Sequence, residues 1–253
     1  MIIDSKAYSG LCTCGRNHEM ETWLAVVEAG CLAKAEDYLK QVDLTGFKVA
    51  VYDKNTYAAR GMVHIPADRE VILDPEGLHA DEHGVDALLA QLPETMDMLI
   101  AVGSGTVHDI VRYCAYLKKV PFVSCPTAAS VDGFCSSVAA MTWEGAKKTL
   151  TAAAPRLVLA DLNVISQAPL YLARSGFGDM IGKYVALTDW RMARVLTGEF
   201  YCERIAGIMT EATQAIQDSA AAIAAGDTGA YEKLTYDTGR YLADAVDARR
   251  TKQ

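Results

Sequence analysis

The four residues Gly103-Ser104-Gly105-Thr106 stand between an apolar run, Met98 to Val102, and a helical pattern from His108 to Leu117. Strand, glycine turn and helix in that order make a phosphate site, because the unbonded N–H groups and the positive dipole end of the helix stabilise an anion there. Glycine lets the ligand approach the backbone closely. A complete G-x-G-x-x-G fingerprint would need glycine where His108 stands, and taken alone such a turn is more often plain loop punctuation. A second run, Val120 to Cys125, leads into Pro126-Thr127-Ala128-Ala129-Ser130-Val131-Asp132-Gly133, a loop crowded with hydroxyls and carrying one carboxylate. Strand, turn, helix and strand form a βαβ unit, whose right-handed crossover brings both loops to the carboxyl edge of one sheet.

Three further groups could do chemistry. Asp53 closes the strand Lys48 to Tyr52; it either hydrogen-bonds a ribose hydroxyl or sits near a nicotinamide, or else merely caps the next helix. Asp179 and Lys183, in Gly176-Phe177-Gly178-Asp179-Met180-Ile181-Gly182-Lys183-Tyr184, are spaced for an i,i+4 ion pair on one helix face. Cys12, Cys14 and His18 offer three zinc donors within seven residues. A closed structural site needs a fourth ligand, and C-x-C is tight for paired cysteines, so this segment is expected to be a surface turn. His79 and His83, in the charged stretch HADEHG, lack the H-E-x-x-H order and are expected in a solvated turn.

GSGTVHDIVRY, VPFVSCPTAASVDGFCSSVAAM and GFGDMIGKYVALTDW resemble the glycerol-1-phosphate dehydrogenase family, relatives of glycerol dehydrogenase, dehydroquinate synthase and the iron-dependent alcohol dehydrogenases. The resemblance covers most of Cys12 to Cys202 in order and spacing. It implies NAD or NADP as cofactor, with Gly105, Thr106, Val107, His108 and Asp109 at the pyrophosphate turn. Thr127, Ala128, Ala129, Ser130 and Ser136 would make further cofactor contacts. It also implies Asp132 as a substrate contact and Asp179 as a ligand to a catalytic divalent metal, zinc or nickel, both in the catalytic set. The substrate would be dihydroxyacetone phosphate, reduced to glycerol 1-phosphate, and the protein a homo-oligomer such as a homodimer. Members of the family add two histidines after the aspartate. Here the five histidines are at 18, 64, 79, 83 and 108, and the likeness fades after about Ala206. The expectation is therefore a C-terminally truncated member. The alternatives are a non-catalytic nucleotide-binding or interaction protein on the same half-fold, or a sibling activity such as dehydroquinate synthase or another polyol or alcohol dehydrogenase.

The elements that must position these residues follow from hydrophobic periodicity. Glu21 to Leu39 has apolar residues at steps of three and four, which predicts an early helix. Lys48 to Tyr52, Arg69 to Leu73, Met98 to Val102 and Val120 to Cys125 read as strands, with helices between them including one over 79–92. A hairpin is expected around Trp143-Glu144-Gly145-Ala146-Lys147, a last strand at Leu157 to Ala160, and helices from Leu170 onward. The pattern predicts an α/β plus α architecture: a Rossmann-like domain of residues 1–164 with a mainly parallel sheet, then a partial helical domain of residues 165–253.

Composition bounds the rest. The 253 residues are 51% hydrophobic and carry a formal net charge of -8, so a sizeable core can form. A nucleic-acid or anionic-membrane surface would need clustered Lys and Arg. The N-terminus has no basic region ahead of an apolar core and no run reaches a membrane span. With seven scattered cysteines, an odd number, reduced thiols in the cytoplasm are expected.

Overall fold

The computed structural model describes residues 2–4, 9–227 and 229–235, without the side chains of Asp4 and Asp132. Its elements run β1 (Ile2–Asp4), β2 (Gly10–Leu11), β3 (Asn17–His18), β4 (Leu24–Glu28), α1 (Ala35–Gln41), β5 (Lys48–Asp53), α2 (Lys54–Tyr57), β6 (Arg69–Leu73) and α3 (Glu82–Leu89). The central unit follows as β7 (Met98–Gly103), α4 (Gly105–Lys118) and β8 (Phe122–Pro126). Then come β9 (Val138–Trp143), β10 (Ala146–Thr151), β11 (Pro155–Asp161), α5 (Leu162–Ile165), α6 (Leu170–Thr197), α7 (Glu203–Asp218) and α8 (Ala220–Ala225). Residues 229–235 are helical, and the tail beyond them, expected as a helix with a solvated end, lies outside the described residues.

Seven strands form one sheet in the order β1-β4-β11-β8-β7-β5-β6. All neighbours are parallel except the edge pair β1·β4. A parallel sheet covered on both faces needs strands that are apolar throughout, and β7 and β8 are buried at every residue. Successive residues of β5 feed opposite layers. Ala50 and Tyr52 pack with Leu39 and Ile65 on one face, while Val49 and Val51 pack with Val85, Leu88, Ile110 and Val111 of α3 and α4 on the other. The hairpin β9–β10 adds Ala139 and Met141 to that second layer. Its two-residue turn puts Glu144 at φ 53° and Gly145 at φ 74°, the left-handed pair that a tight hairpin between right-twisted strands requires.

One expectation is overturned. Glu21 to Leu39 is not a single helix: Leu24–Glu28 is strand β4, followed by a 3-10 turn at Leu32–Lys34 and then α1. Leu24-Ala25-Val26-Val27 is an uninterrupted apolar run, and β11 offers it a parallel partner, Leu157↔Leu24 through Asp161↔Glu28. Pairing along a buried sheet stabilises β-branched valines more than one face of a helix would.

The helices after Leu170 dock on the carboxyl end of the sheet. Ala173 and Met180 of α6, Ala212 and Ile216 of α7 and Ile223 of α8 share a cluster with Val27, Ala129, Ala160 and Leu162. Toward its C-terminus α6 exposes Val185, Met192, Val195 and Leu196.

Candidate functional site

The sheet order fixes where a ligand can sit. From β5 the chain moves outward to β6, then returns across β5 to β7 and continues to β8. Connections therefore leave β5 and β7 in opposite directions, and a crevice opens beyond their carboxyl ends. A cavity of about 570 Å³ lies there, lined after β5 by Asp53, Asn55, Thr56 and Arg60, after β7 by Ser104 and Thr106, after β8 by Thr127, Ala128 and Ser130, and after β11 by Gln167 and Leu172. The Thr56 hydroxyl donates to the Val102 carbonyl at 3.2 Å, tying the two diverging loops together.

Asp53 does cap α2. Its carboxylate accepts from the Thr56 N–H at 2.7 Å while the Thr56 hydroxyl accepts from the Asp53 N–H at 3.1 Å, and the same residue faces the crevice. Ser104 is the N-cap of α4 with an extended backbone and no side-chain cap bond, so the N–H groups of Gly105, Thr106 and Val107 have no acceptor within the helix. The His108 N–H already donates to the Ser104 carbonyl at 3.0 Å. A Cβ on Gly105 would meet nothing within 4 Å, whereas one on Gly103 would stand 3.0 Å from the Val107 side chain. Gly103 thus serves the packing of helix on strand, and the space above Gly105 is open.

Six of the expected cofactor contacts are absent from the crevice lining: Gly105 and Val107, which flank Thr106 in the first turn of α4, and His108, Asp109, Ala129 and Ser136. The His108 ring is 1% exposed; one nitrogen, Nδ1, bonds the Ser104 carbonyl at 2.9 Å, and the other, Nε2, is buried without a partner. Burial first, and then the charge of Arg112, hold its pKa down to about 3, so it is a neutral packing group against Phe122. Asp109 pairs with Arg112 at 3.9 Å. Ser136 turns its hydroxyl to the backbone of Val138. Ala129 is buried against α6, where a Cβ on Gly176 would stand 2.4 Å from the Ala129 carbonyl oxygen. Asp132 opens the 3-10 turn Asp132–Cys135; its side chain lies outside the described residues. That turn is held by buried Arg112, which donates to the carbonyls of Gly133 and of Val138, the latter at 2.8 Å.

The model of the iron-containing alcohol dehydrogenase family matches residues 26–169, which include most of the crevice lining. The chain belongs to the iron-containing alcohol dehydrogenase family. It is 36% identical over 236 residues to the glycerol-1-phosphate dehydrogenase [NAD(P)+] of Bacillus licheniformis, covering 89% of this chain and 59% of that protein. It is 45% identical over 152 residues to the protein of the same name from Geobacillus thermodenitrificans, covering 60% and 38%. The chain therefore spans only part of the length of these relatives. In fold it is similar to a probable glycerol dehydrogenase from Sinorhizobium meliloti, with a TM-score of 0.73, 19% identity and 87% of this chain and 65% of that chain covered. An iron-containing alcohol dehydrogenase from Thermotoga maritima gives the same TM-score at 17% identity, covering 91% and 68%.

For a member of the iron-containing alcohol dehydrogenase family, the metal question falls on Asp179. It sits on α6 in an ion pair with Lys183 at 2.7 Å. Among the described residues it belongs to no group of three or more His, Cys, Asp or Glu donors. Sequence reasoning missed Thr56, Arg60 and Gln167 as crevice residues, since only the strand order makes the loops after β5 and β11 neighbours of the glycine turn.

The expected surface turn at Cys12 is also corrected. Cys12 and His18 are buried, and Cys202, 190 residues away from Cys12, joins them with Cys14. The Cys12 thiol is held down to about 6, chiefly by a hydrogen bond from the Cys14 backbone N–H, while burial pushes Cys202 up to about 11.

Proposed function

We propose that the crevice binds NAD or NADP, and that the chain is the cofactor-binding part of a glycerol-1-phosphate dehydrogenase acting on dihydroxyacetone phosphate. The observation that carries this is the first turn of α4: three N–H groups lack helical acceptors, Ser104 and Thr106 of that turn line the crevice, and a Cβ on Gly105 would meet nothing within 4 Å. The pyrophosphate lies on Gly105, Thr106 and Val107. Thr127, Ala128 and Ser130 line the opposite wall, with Ala129 fixing that loop against α6, and Asp53 reaches a ribose hydroxyl with the carboxylate oxygen not used in its cap. Arg60 brings positive charge to the crevice of an otherwise acidic chain. Asp132 accepts from a substrate hydroxyl. When bound, the cofactor gives or takes hydride at its nicotinamide ring; the protein orients it and keeps water from the reacting face. Support comes from relatives that carry this activity in their names at 36% and 45% identity. The same reading places a domain boundary near residue 164, with the helical part from residue 165, in a cytoplasmic homo-oligomer that needs neither nucleic acid nor membrane.

The residues present do not complete a catalytic zinc or nickel centre. Such a centre keeps three protein ligands and an open position, and among the described residues Asp179 has Lys183 beside it and belongs to no group of three or more His, Cys, Asp or Glu donors. That observation favours a second reading, nucleotide binding without turnover by these 253 residues.

NADH fluorescence titration tests the site. Gly105→Val is expected to weaken NADH by about tenfold or more, or about 1.4 kcal/mol, because its branched side chain enters the space that the phosphates need. Equal affinity in the two proteins, with the fold intact by circular dichroism, removes this turn as the phosphate site.

A further inference from the structure

We propose that Cys12, Cys14, His18 and Cys202 form a structural zinc site that clamps the N-terminal hairpin to the start of α7. The four donor atoms all lie within 4.8 Å of one another. Cys12 Sγ to Cys202 Sγ is 3.7 Å, Cys202 Sγ to His18 Nε2 is 3.7 Å and Cys14 Sγ to His18 Nε2 is 3.3 Å. A tetrahedral zinc with sulfur at about 2.3 Å and nitrogen at about 2.0 Å has S···S edges of about 3.8 Å and S···N edges of about 3.5 Å. The three separations given lie within about 0.2 Å of those edges, and the other three are no longer than 4.8 Å. A disulfide would bring two sulfurs to about 2.05 Å, and Cys12, Cys14 and Cys202 are free thiols.

The surroundings are built for a fixed donor set. Residues 12–16 form a tight turn, with the Gly15 N–H on the Cys12 carbonyl at 2.9 Å, the Cys12 N–H on the Arg16 carbonyl at 2.8 Å and Gly15 at φ 84°. The turn joins β2 to β3, and the register Gly10↔His18 brings the ring back beside the two thiols. Cys202 is the N-cap of α7. It is held there by the α6–α7 connection, in which Trp190 Nε1 donates to the Phe200 carbonyl at 2.7 Å and the Arg16 guanidinium lies 3.5 Å from the Phe200 ring centroid. Cys12, Cys202 and Ile205 pack as a small apolar cluster of their own. Soft sulfur and imidazole donors in a closed tetrahedron select zinc over the hard cations. No ligand position is left open for substrate, and none of the four residues lines the crevice, so the role is structural. On binding, zinc replaces the thiol protons, which pass to solvent, and the metal joins segments otherwise linked by a small apolar cluster and the Arg16–Phe200 contact.

The test is metal analysis of the whole chain, purified under reducing conditions without chelator and dialysed. About one zinc per chain is expected, retained in Asp179→Asn and lost in Cys14→Ala, which removes the half-exposed donor with least harm to packing. Cys14→His, which keeps a donor, should retain zinc. Cobalt(II) loaded into metal-free protein should give the intense visible bands of a tetrahedral thiolate site, with weaker sulfur-to-cobalt charge transfer in Cys14→His. Stripping the metal should lower Tm and release the hairpin to proteolysis between residues 9 and 20. Zinc that follows Asp179 instead of Cys14, a Cys12–Cys202 disulfide under these conditions, or protein that takes up neither zinc nor cobalt overturns the proposal. Because NADH affinity is measured separately, failure here leaves the nucleotide site untouched.

Discussion

His108 illustrates how burial reassigns a residue that its position in a motif nominates for ligand contact. Its ring is neutral in the folded protein, held to about 3 by burial and by Arg112, and about 6.5 in the unfolded chain. Between those values the unfolded chain holds a proton that the folded chain lacks. Stability therefore falls as pH drops below about 6.5, with a slope of up to about 1.4 kcal/mol per pH unit. His108→Asn removes this titration while offering an amide N–H to the Ser104 carbonyl. Between about pH 7 and about pH 5 the variant should lose about 2 kcal/mol less stability than the wild type, measured by urea unfolding at each pH. Equal losses in both proteins would mean that the folded ring takes up the proton after all.

At the scale of elements, the crevice depends on α6 lying against the loop after β8. Gly176 allows the approach: any side chain there meets the Ala129 carbonyl and the Ser130 amide, backbone atoms that cannot swing aside as a flexible side chain could. Gly176→Ala should shift the loop that carries Thr127 and Ser130, lower stability by about 1–3 kcal/mol as overpacking does, and weaken NADH although residue 176 does not line the cavity. The matching change Gly178→Ala, where a Cβ meets nothing within 4 Å, should leave both quantities alone or slightly raise helix stability. Thermal melts and NADH titrations of the two variants compare them directly. If both variants melt and bind like the wild type, the close approach does not constrain the loop.

For the whole molecule, metal content does not decide between catalysis and simple nucleotide binding, because zinc held by Cys12, Cys14, His18 and Cys202 would be present either way. Turnover does decide. The 253-residue protein should bind NADH and gain about 2.7 kcal/mol of stability at a hundredfold excess over Kd. It should not oxidise NADH with dihydroxyacetone phosphate, even with added zinc or nickel, since a carboxylate paired to lysine is one donor where three are needed. Robust turnover that disappears in Asp179→Asn would show that a working metal centre assembles around that residue.

The sequence by itself determined what short-range pattern can encode. Apolar runs bounded by turn residues became β5, β6, β7, β8 and β11, the Glu144-Gly145 pair became a hairpin turn, and the glycine turn opened α4, all because period and turn chemistry act over a few residues. Leu24 to Glu28 resisted the same treatment, since a short apolar run satisfies helix and strand alike until β11 is there to pair with it. Asp53 fits either use by sequence, and the tertiary structure gives it both a cap and a place at the crevice. Tertiary structure alone also decided the strand order that opens a crevice between β5 and β7, the burial that turns His108 inward, and the arrival of Cys202 beside Cys12, Cys14 and His18. Each of these depends on contacts between residues far apart in the chain, 190 positions for Cys12 and Cys202, and a local pattern holds no trace of a neighbour that only the packed sheet and helices bring near.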